Sequence, residues 1–204
     1  MKKIFVIILC LFLAGCQMDN LTSVHSPLLT DFSTEEIDNC TLAVSFQKKD
    51  MSFNPDGAGQ ISLKIHQYEK FSDAEIKRLQ VGDILLILSR EVKIFSLSYE
   101  KENRILINGS LDAGGYELAL HPDGYWYVNG YNDTKAWYEA GAVTLPVANN
   151  FVYIDASNLD AAPSEHSFSY LMEQEFSDYM FSPHSTTATI KNGKIIMVKR
   201  VYFP

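Results

Sequence analysis

From about residue 37 onwards, the chain consists of short segments in which apolar and polar residues alternate, separated by turn residues. A period of two puts alternate side chains on opposite faces of a β-strand. In the first such segment Cys40, Leu42 and Val44 share one face, while Thr41 lies on the other. We expect about ten short strands of this kind with two or three short helices. The pattern therefore predicts a mainly β (α+β) fold, either a barrel or a sandwich, in a single domain.

The clearest turn signal lies near the end of the chain. Asn192-Gly193 is the residue pair that two-residue type I′ hairpin turns prefer. The turn predicts a hairpin in which Ile190 pairs with Ile195 and Ala188 pairs with Met197.

Two segments carry helix signals. Ser72 and Glu75 have the spacing of a capping box, which predicts a short helix held by Ile76 and Leu79. A stripe of apolar residues within 168–180 predicts a second helix.

The N-terminus has the features of an export signal. Lys2 and Lys3 precede an apolar run at residues 4–13, which as a helix covers about 15 Å and is too short for a bilayer core of roughly 30 Å. The run ends in Leu13-Ala14-Gly15-Cys16, which resembles the lipobox of bacterial lipoproteins. The resemblance implies cleavage before Cys16, a diacylglyceryl thioether on Cys16 and acylation of its amine by a fatty acid such as palmitate.

This resemblance divides the chain into three parts. Residues 1–15 are the predicted signal peptide, residues 16–36 a lipidated N-terminus and flexible tether, and residues 37–204 the mainly β domain. The predicted location is the extracytoplasmic face of the cell membrane, with the lipid on Cys16 as the anchor.

The cysteine count leaves Cys40 alone in the predicted domain. Cys10 departs with the signal and Cys16 carries the lipid, so no intramolecular disulfide is expected. Because Cys40 lies on the apolar face of its strand, we expect it to be a small buried side chain. A catalytic thiol is the alternative interpretation.

Charge is unevenly distributed along the chain. The full chain has a net charge of −8, which argues against a nucleic-acid partner. Between residues 105 and 190 there are eleven acidic residues, and Lys135 is the single basic one. This stretch predicts either an acidic face that attracts cations or basic peptides, or a solvated surface that keeps the protein soluble.

Aromatic residues are concentrated between residues 116 and 138. Three of them are consecutive, at positions 125–127, so a strand cannot turn all three towards one core. Exposed rings there would stack on a sugar or anchor a peptide or protein partner, whereas cross-strand packing in a core is the alternative. The candidate ligand face consists of Tyr125, Trp126, Tyr127, Tyr131, Asp133 and Trp137.

The sequence contains no catalytic, cofactor-binding or metal-binding signature among the motifs considered. The predicted function is therefore a binding or accessory role in the bacterial cell envelope, with the membrane and a glycan, peptide or envelope protein as partners. An envelope hydrolase that uses carboxylates of residues 105–190 on a glycan or peptide is the alternative. A structural subunit of a larger envelope assembly is a third class.

Replacing Cys16 by serine tests the anchor. The Cys16→Ser variant is expected to lose metabolic labelling with a fatty acid and to leave the membrane fraction, because the lipid thioether needs the sulfur atom. Labelling that survives the substitution would contradict the lipoprotein interpretation.

Overall fold

A computed structural model of the chain describes residues 16–17, 36–100, 103–130 and 133–203. The predicted signal peptide and Tyr131 lie outside these ranges. The strands are β1 (Cys16–Gln17), β2 (Cys40–Ser45), β3 (Met51–Phe53), β4 (Gly59–Gln67), β5 (Lys70–Phe71), β6 (Ile84–Ile87), β7 (Arg90–Lys93), β8 (Leu97–Glu100), β9 (Arg104–Ile107), β10 (Tyr116–Leu120), β11 (Trp126–Val128), β12 (Tyr138–Ala156), β13 (Ser164–His166), β14 (Thr186–Lys191) and β15 (Lys194–Val201). The helices are α1 (Asp73–Ile76) and α2 (Phe168–Glu173), with 3-10 turns at Lys48–Asp50 and Leu111–Ala113. The predicted mainly β fold is confirmed.

Five strands close into a barrel. β2 pairs with both β14 and β4, and the ring continues through β15 and β12. β12 and β15 run parallel, whereas the other neighbours in the ring run antiparallel. This order, with α2 between the third and fourth strands of the ring, is the topology of the five-stranded Greek-key barrel known as the OB-fold.

The inside of the barrel is apolar because its strands alternate. Leu42, Val44, Leu63 and Ile65 are among the inward side chains and are fully or almost fully buried. Helix α2 lies against this core, and Phe168 packs beside Gly59 so closely that a Cβ atom at Gly59 would overlap its ring. A glycine at the start of β4 thus makes room for the helix.

The outer face of the barrel is polar. The hydroxyl oxygens of Thr41 and Thr189 lie 2.9 Å apart, and those of Ser62 and Thr144 lie 2.7 Å apart. These contacts link β2 to β14 and β4 to β12 on the side away from the core. The outer face is therefore a surface of hydroxyl groups that can meet other polar groups.

Residues 68–137 form a second unit between β4 and β12, which we call the insert. Its five-stranded sheet has the order β5–β11–β10–β9–β8, and the hairpin β6–β7 forms a separate two-stranded sheet. Because Gln67 and Tyr138 are paired across β4 and β12, the two ends of the insert lie side by side at the barrel.

The insert has a hydrophobic cluster of its own, which shares no residue with the barrel core. Ile105, Ile107, Leu118 and Trp126 are buried in it, together with Phe71, Ile76, Leu85, Ile87, Ile94 and Val128. The predicted single domain therefore contains two hydrophobic clusters.

A buried carboxyl group supports the tip of the β6–β7 hairpin. Leu88 and Ser89 have φ values of 49° and 62°, in the left-handed region that favours glycine. The Ser89 N–H donates to Glu69 Oε1 at 2.7 Å, and burial raises the pKa of Glu69. This bond attaches the hairpin tip to the segment that leaves the barrel.

The local predictions are met with two differences. Ile190 pairs with Ile195 as predicted, and Asn192 and Gly193 both have positive φ values. A register shift beyond Ile190 pairs Ala188 with Val198 instead of the predicted Met197. The predicted helix within 168–180 is confined to α2, whereas the capping box of Ser72 and Glu75 forms at α1 as predicted. None of the helices that the structure describes is long and apolar enough to span a membrane.

Two matched substitutions test whether the hydrophobic cluster of the barrel and that of the insert each stabilise the folded state. Ile61→Ala in the barrel and Ile105→Ala in the insert are each expected to lower the free energy of unfolding by about 2–5 kcal/mol, because both side chains are fully buried. Ile84→Ala is the control, since Ile84 is 51% exposed, and it should change stability by less than about 0.5 kcal/mol. Urea unfolding followed by circular dichroism measures all three, and an Ile84 effect as large as the others would contradict the assignment.

Candidate functional site

The consecutive aromatic residues at positions 126 and 127 are buried in two different layers. Trp126 is 7% exposed and packs in the core of the insert, where its indole N–H donates to Asp73 Oδ1 at 3.3 Å. Tyr127 points to the opposite face of β11 and is 1% exposed, with the ring of Tyr68 5.3 Å from its own, centre to centre. The two side chains point to opposite faces of β11, as strand alternation predicts. The face that we expected to be exposed is nevertheless covered, and Tyr68 is one of the residues that cover Tyr127.

The other predicted ligand-face residues lie in different places. Tyr125 is 38% exposed, and Lys70 Nζ lies 3.8 Å from the centre of its ring. Asp133 is exposed and its carboxylate accepts from Arg104 at 3.0 Å, outside the pocket described below. Trp137 is half-buried and lines that pocket. The structure thus brings Tyr127 and Trp137 together and leaves Trp126 and Asp133 apart from them.

A pocket of about 380 Å³ lies where the insert meets the outer face of the barrel, and we call it the junction pocket. The barrel strands β2, β4 and β14 form one wall, and the insert forms the other. The barrel contributes Thr41, Leu42, Ala43, Ile65, His66, Gln67 and Thr187, and the insert contributes Tyr68, Lys70, Asp123, Tyr127, Lys135 and Trp137.

Three aromatic rings of the insert wall lie around the ammonium group of Lys135 or next to each other. Tyr68 packs edge-on against Trp137 with ring centres 4.6 Å apart. Lys135 Nζ lies 3.5 Å from the centre of the Tyr127 ring and 4.7 Å from that of Tyr68. Burial lowers the pKa of Lys135, although the charge of Asp123 acts in the opposite direction. The ammonium group is thus held between two rings, an arrangement that cation–π attraction favours.

Asp123 is the carboxylate of the junction pocket, and it is already hydrogen-bonded. The hydroxyl of Tyr127 donates to Asp123 Oδ2, and the Tyr125 N–H donates to Oδ1 at 3.2 Å. Burial raises the pKa of Asp123, but these two bonds and the positive charges of Lys135 and Lys70 outweigh burial, and the pKa lies below its usual value. The group is therefore a carboxylate at neutral pH.

A serine–histidine contact lies at the barrel side of the pocket. His66 Nε2 and Ser45 Oγ are 2.8 Å apart on the neighbouring strands β4 and β2. His66 lines the junction pocket, whereas Ser45 lines a second cavity of about 280 Å³ on the same barrel face, beside Lys64 and Asp178. The two cavities are therefore neighbours along the outer face.

Sequence reasoning missed several pocket residues. His66 and Lys70 lie near strand ends and Tyr68 lies in the connection between β4 and β5. None of them belongs to a local motif, so their meeting depends on how the insert folds back over the barrel. The sequence did single out Lys135, because it is the one basic residue between residues 105 and 190, a stretch with eleven acidic residues. The histidines, carboxylates and cysteine of the described ranges form no cluster of three that would hold a metal ion.

The comparisons with known proteins found no match. No protein-family model, no curated protein and no solved structure matches this chain.

The histidines around the pocket predict a loss of stability in mild acid. Burial lowers the pKa of His66, His121 and His184 below the ordinary value of 6.5. The folded state then binds these protons more weakly than the unfolded state does, so their contribution to stability is complete above about pH 6.5 and falls as the pH drops below it.

Urea unfolding at about pH 7.5 and about pH 5.5 measures this effect. The His66→Gln variant should show a smaller loss between the two pH values than the unchanged chain, because one of the three groups no longer titrates. Glu69 acts in the opposite direction, since its pKa is raised, so the comparison with His66→Gln isolates the histidine contribution. An identical loss in both proteins would contradict the prediction.

Proposed function

We propose that this chain is a lipid-anchored protein of the bacterial cell envelope that binds a small polar ligand with a ring face, of the saccharide type, in the junction pocket. The proposed anchor is the lipid on Cys16, which rests on the resemblance to the lipobox. In this proposal residues 16–36 remain a tether, and the domain works on the extracytoplasmic face of the membrane.

The observation that carries the binding proposal is the composition of the junction pocket. Tyr68 and Trp137 supply aromatic side chains, while Gln67, His66 and Thr41 supply hydrogen-bonding groups from the barrel. Ligand sites in proteins are concave, combine apolar and aromatic walls with a few polar groups, and measure about 300–1,000 Å³. A sugar presents an apolar ring face and hydroxyl groups on its edge, which matches both kinds of wall.

Four of the eleven acidic residues between 105 and 190 have basic partners, which weighs against the hydrolase alternative. In the described part of residues 105–190, Glu117 and Asp133 pair with Arg104, and Asp155 lies 3.7 Å from Arg200. Glu139 pairs with Lys64 at 2.8 Å. Glycoside hydrolysis uses two carboxyl groups that flank the scissile bond, whereas Asp123 is the one carboxylate among the described residues that line the pocket. We therefore favour binding over hydrolysis.

A single substitution tests the pocket. Trp137→Ala removes a ring from the pocket wall and should weaken saccharide binding roughly two- to ten-fold, which is the range of aromatic contact energies. Saturation-transfer NMR with a panel of neutral and charged monosaccharides and soluble envelope-glycan fragments measures binding from the ligand side.

Tyr179→Ala is the matched control, because Tyr179 is an exposed aromatic residue that does not line the pocket. It should leave the transfer signals unchanged. Equal signals from the unchanged chain and the Trp137→Ala variant, or no signal from any member of the panel, would refute the proposed site.

A further inference from the structure

Two lysines line the junction pocket and contact rings instead of carboxylates. Lys135 Nζ lies over the rings of Tyr127 and Tyr68, and Lys70 Nζ lies over the ring of Tyr125. The described residues place no carboxylate oxygen within 4.0 Å of either nitrogen atom. An ammonium group has three N–H donors, and a ring face does not satisfy them as an oxygen acceptor does.

Some basic side chains of the described surface have carboxylate partners, and others, such as Lys93 over the ring of Phe95, do not. Lys64, Arg104 and Arg200 each lie within 4.0 Å of a carboxylate, with Glu139, Glu117 and Asp155 as partners. In a chain of net charge −8, acidic partners are plentiful. The junction pocket thus places two ammonium groups around one cavity, with no carboxylate oxygen of the described residues within 4.0 Å of either.

The position of Lys135 makes its lack of a partner costly. The side chain is half-buried, and its pKa is lowered chiefly by burial. Asp123 supplies a negative charge nearby but no ion pair, so the partly dehydrated ammonium group is incompletely neutralised, and an incoming anion offsets that cost. The carboxylate of Asp123 is held by Tyr127 and Tyr125 and forms no ion pair with Lys135. With two lysines and one aspartate, the pocket is locally positive.

We propose that the ligand of the junction pocket is an anionic saccharide, whose carboxylate or phosphate group binds Lys135 while its ring stacks on Trp137 or Tyr68. This inference rests on the proposed function, because it names the class of ligand for the same pocket. Lys70 adds a second positive charge at the pocket wall. In a chain of net charge −8, a local positive site of this kind favours the binding of an anionic ligand.

Three probes that share one sugar ring test the charge preference. Glucose, glucuronate and glucose 6-phosphate are titrated into the purified full-length chain in a non-ionic detergent, and tryptophan fluorescence follows binding. Glucuronate or glucose 6-phosphate should bind at least about ten-fold more tightly than glucose, and added salt should weaken the binding of that probe alone. The two anionic probes distinguish a carboxylate ligand from a phosphate ligand.

Substitutions of Lys135 test its role. Lys135→Met keeps the length of the side chain and removes the charge, so the anionic probe should bind no more tightly than glucose. Lys135→Arg keeps the charge and should retain most of the preference. Lys191→Met is the control, because Lys191 is an exposed lysine outside the pocket, and it should change nothing. Thermal melts of each variant check that the fold is intact.

The outcomes separate this inference from the proposed function. Glucose binding as tightly as both anionic probes, with saturation-transfer signals that are reduced in Trp137→Ala, would overturn the charge preference and leave the saccharide pocket standing. No response to either anionic probe, or an unchanged preference in Lys135→Met, would overturn the inference. Saturation-transfer NMR on Trp137→Ala tests the pocket independently of tryptophan emission, and probes that bind this variant as tightly as the unchanged chain would refute the pocket itself.

Discussion

The closure of the barrel through β2 is the constraint on which the rest of the structure depends. β2 hydrogen-bonds on both edges, to β14 and to β4, so the five-stranded ring has no open edge among its described members. Closure separates an apolar inside from a polar outside and fixes which side chains of β2 and β4 face outward. The rigid outer wall of the junction pocket, with Thr41 and His66, is a direct result of that separation.

The junction pocket exists because the insert packs against the outer face of the barrel. The barrel supplies hydroxyl, amide and imidazole groups, and the insert supplies rings, two ammonium groups and Asp123. The contacts within the insert, from Tyr68 through Lys135 to Tyr127, hold the charged group at the wall before any ligand is bound. Such prior ordering lowers the entropy cost of binding.

Local signals predicted much of the fold, and long-range contacts account for what they missed. Alternation around Cys40 and the Asn192-Gly193 turn depend on neighbouring residues, and both predictions agree with the structure. β12 runs unbroken from Tyr138 to Ala156, although Asn149-Asn150 has the composition of a turn, because pairing with β4 and β15 keeps the chain extended across a register shift. The pocket brings together Tyr68 and Trp137, which are distant in sequence, so no local sequence pattern predicts the pocket.

The pairing of Gln67 with Tyr138 determines which insertions and replacements the barrel can accept between β4 and β12. The whole insert occupies the position of a hairpin loop, since the chain leaves and re-enters the barrel at two residues that face each other. A loop position of this kind tolerates replacement by a segment of any length whose ends are close together. Since the two hydrophobic clusters share no residue, the barrel could accept a different insert at this position without any change to its own core.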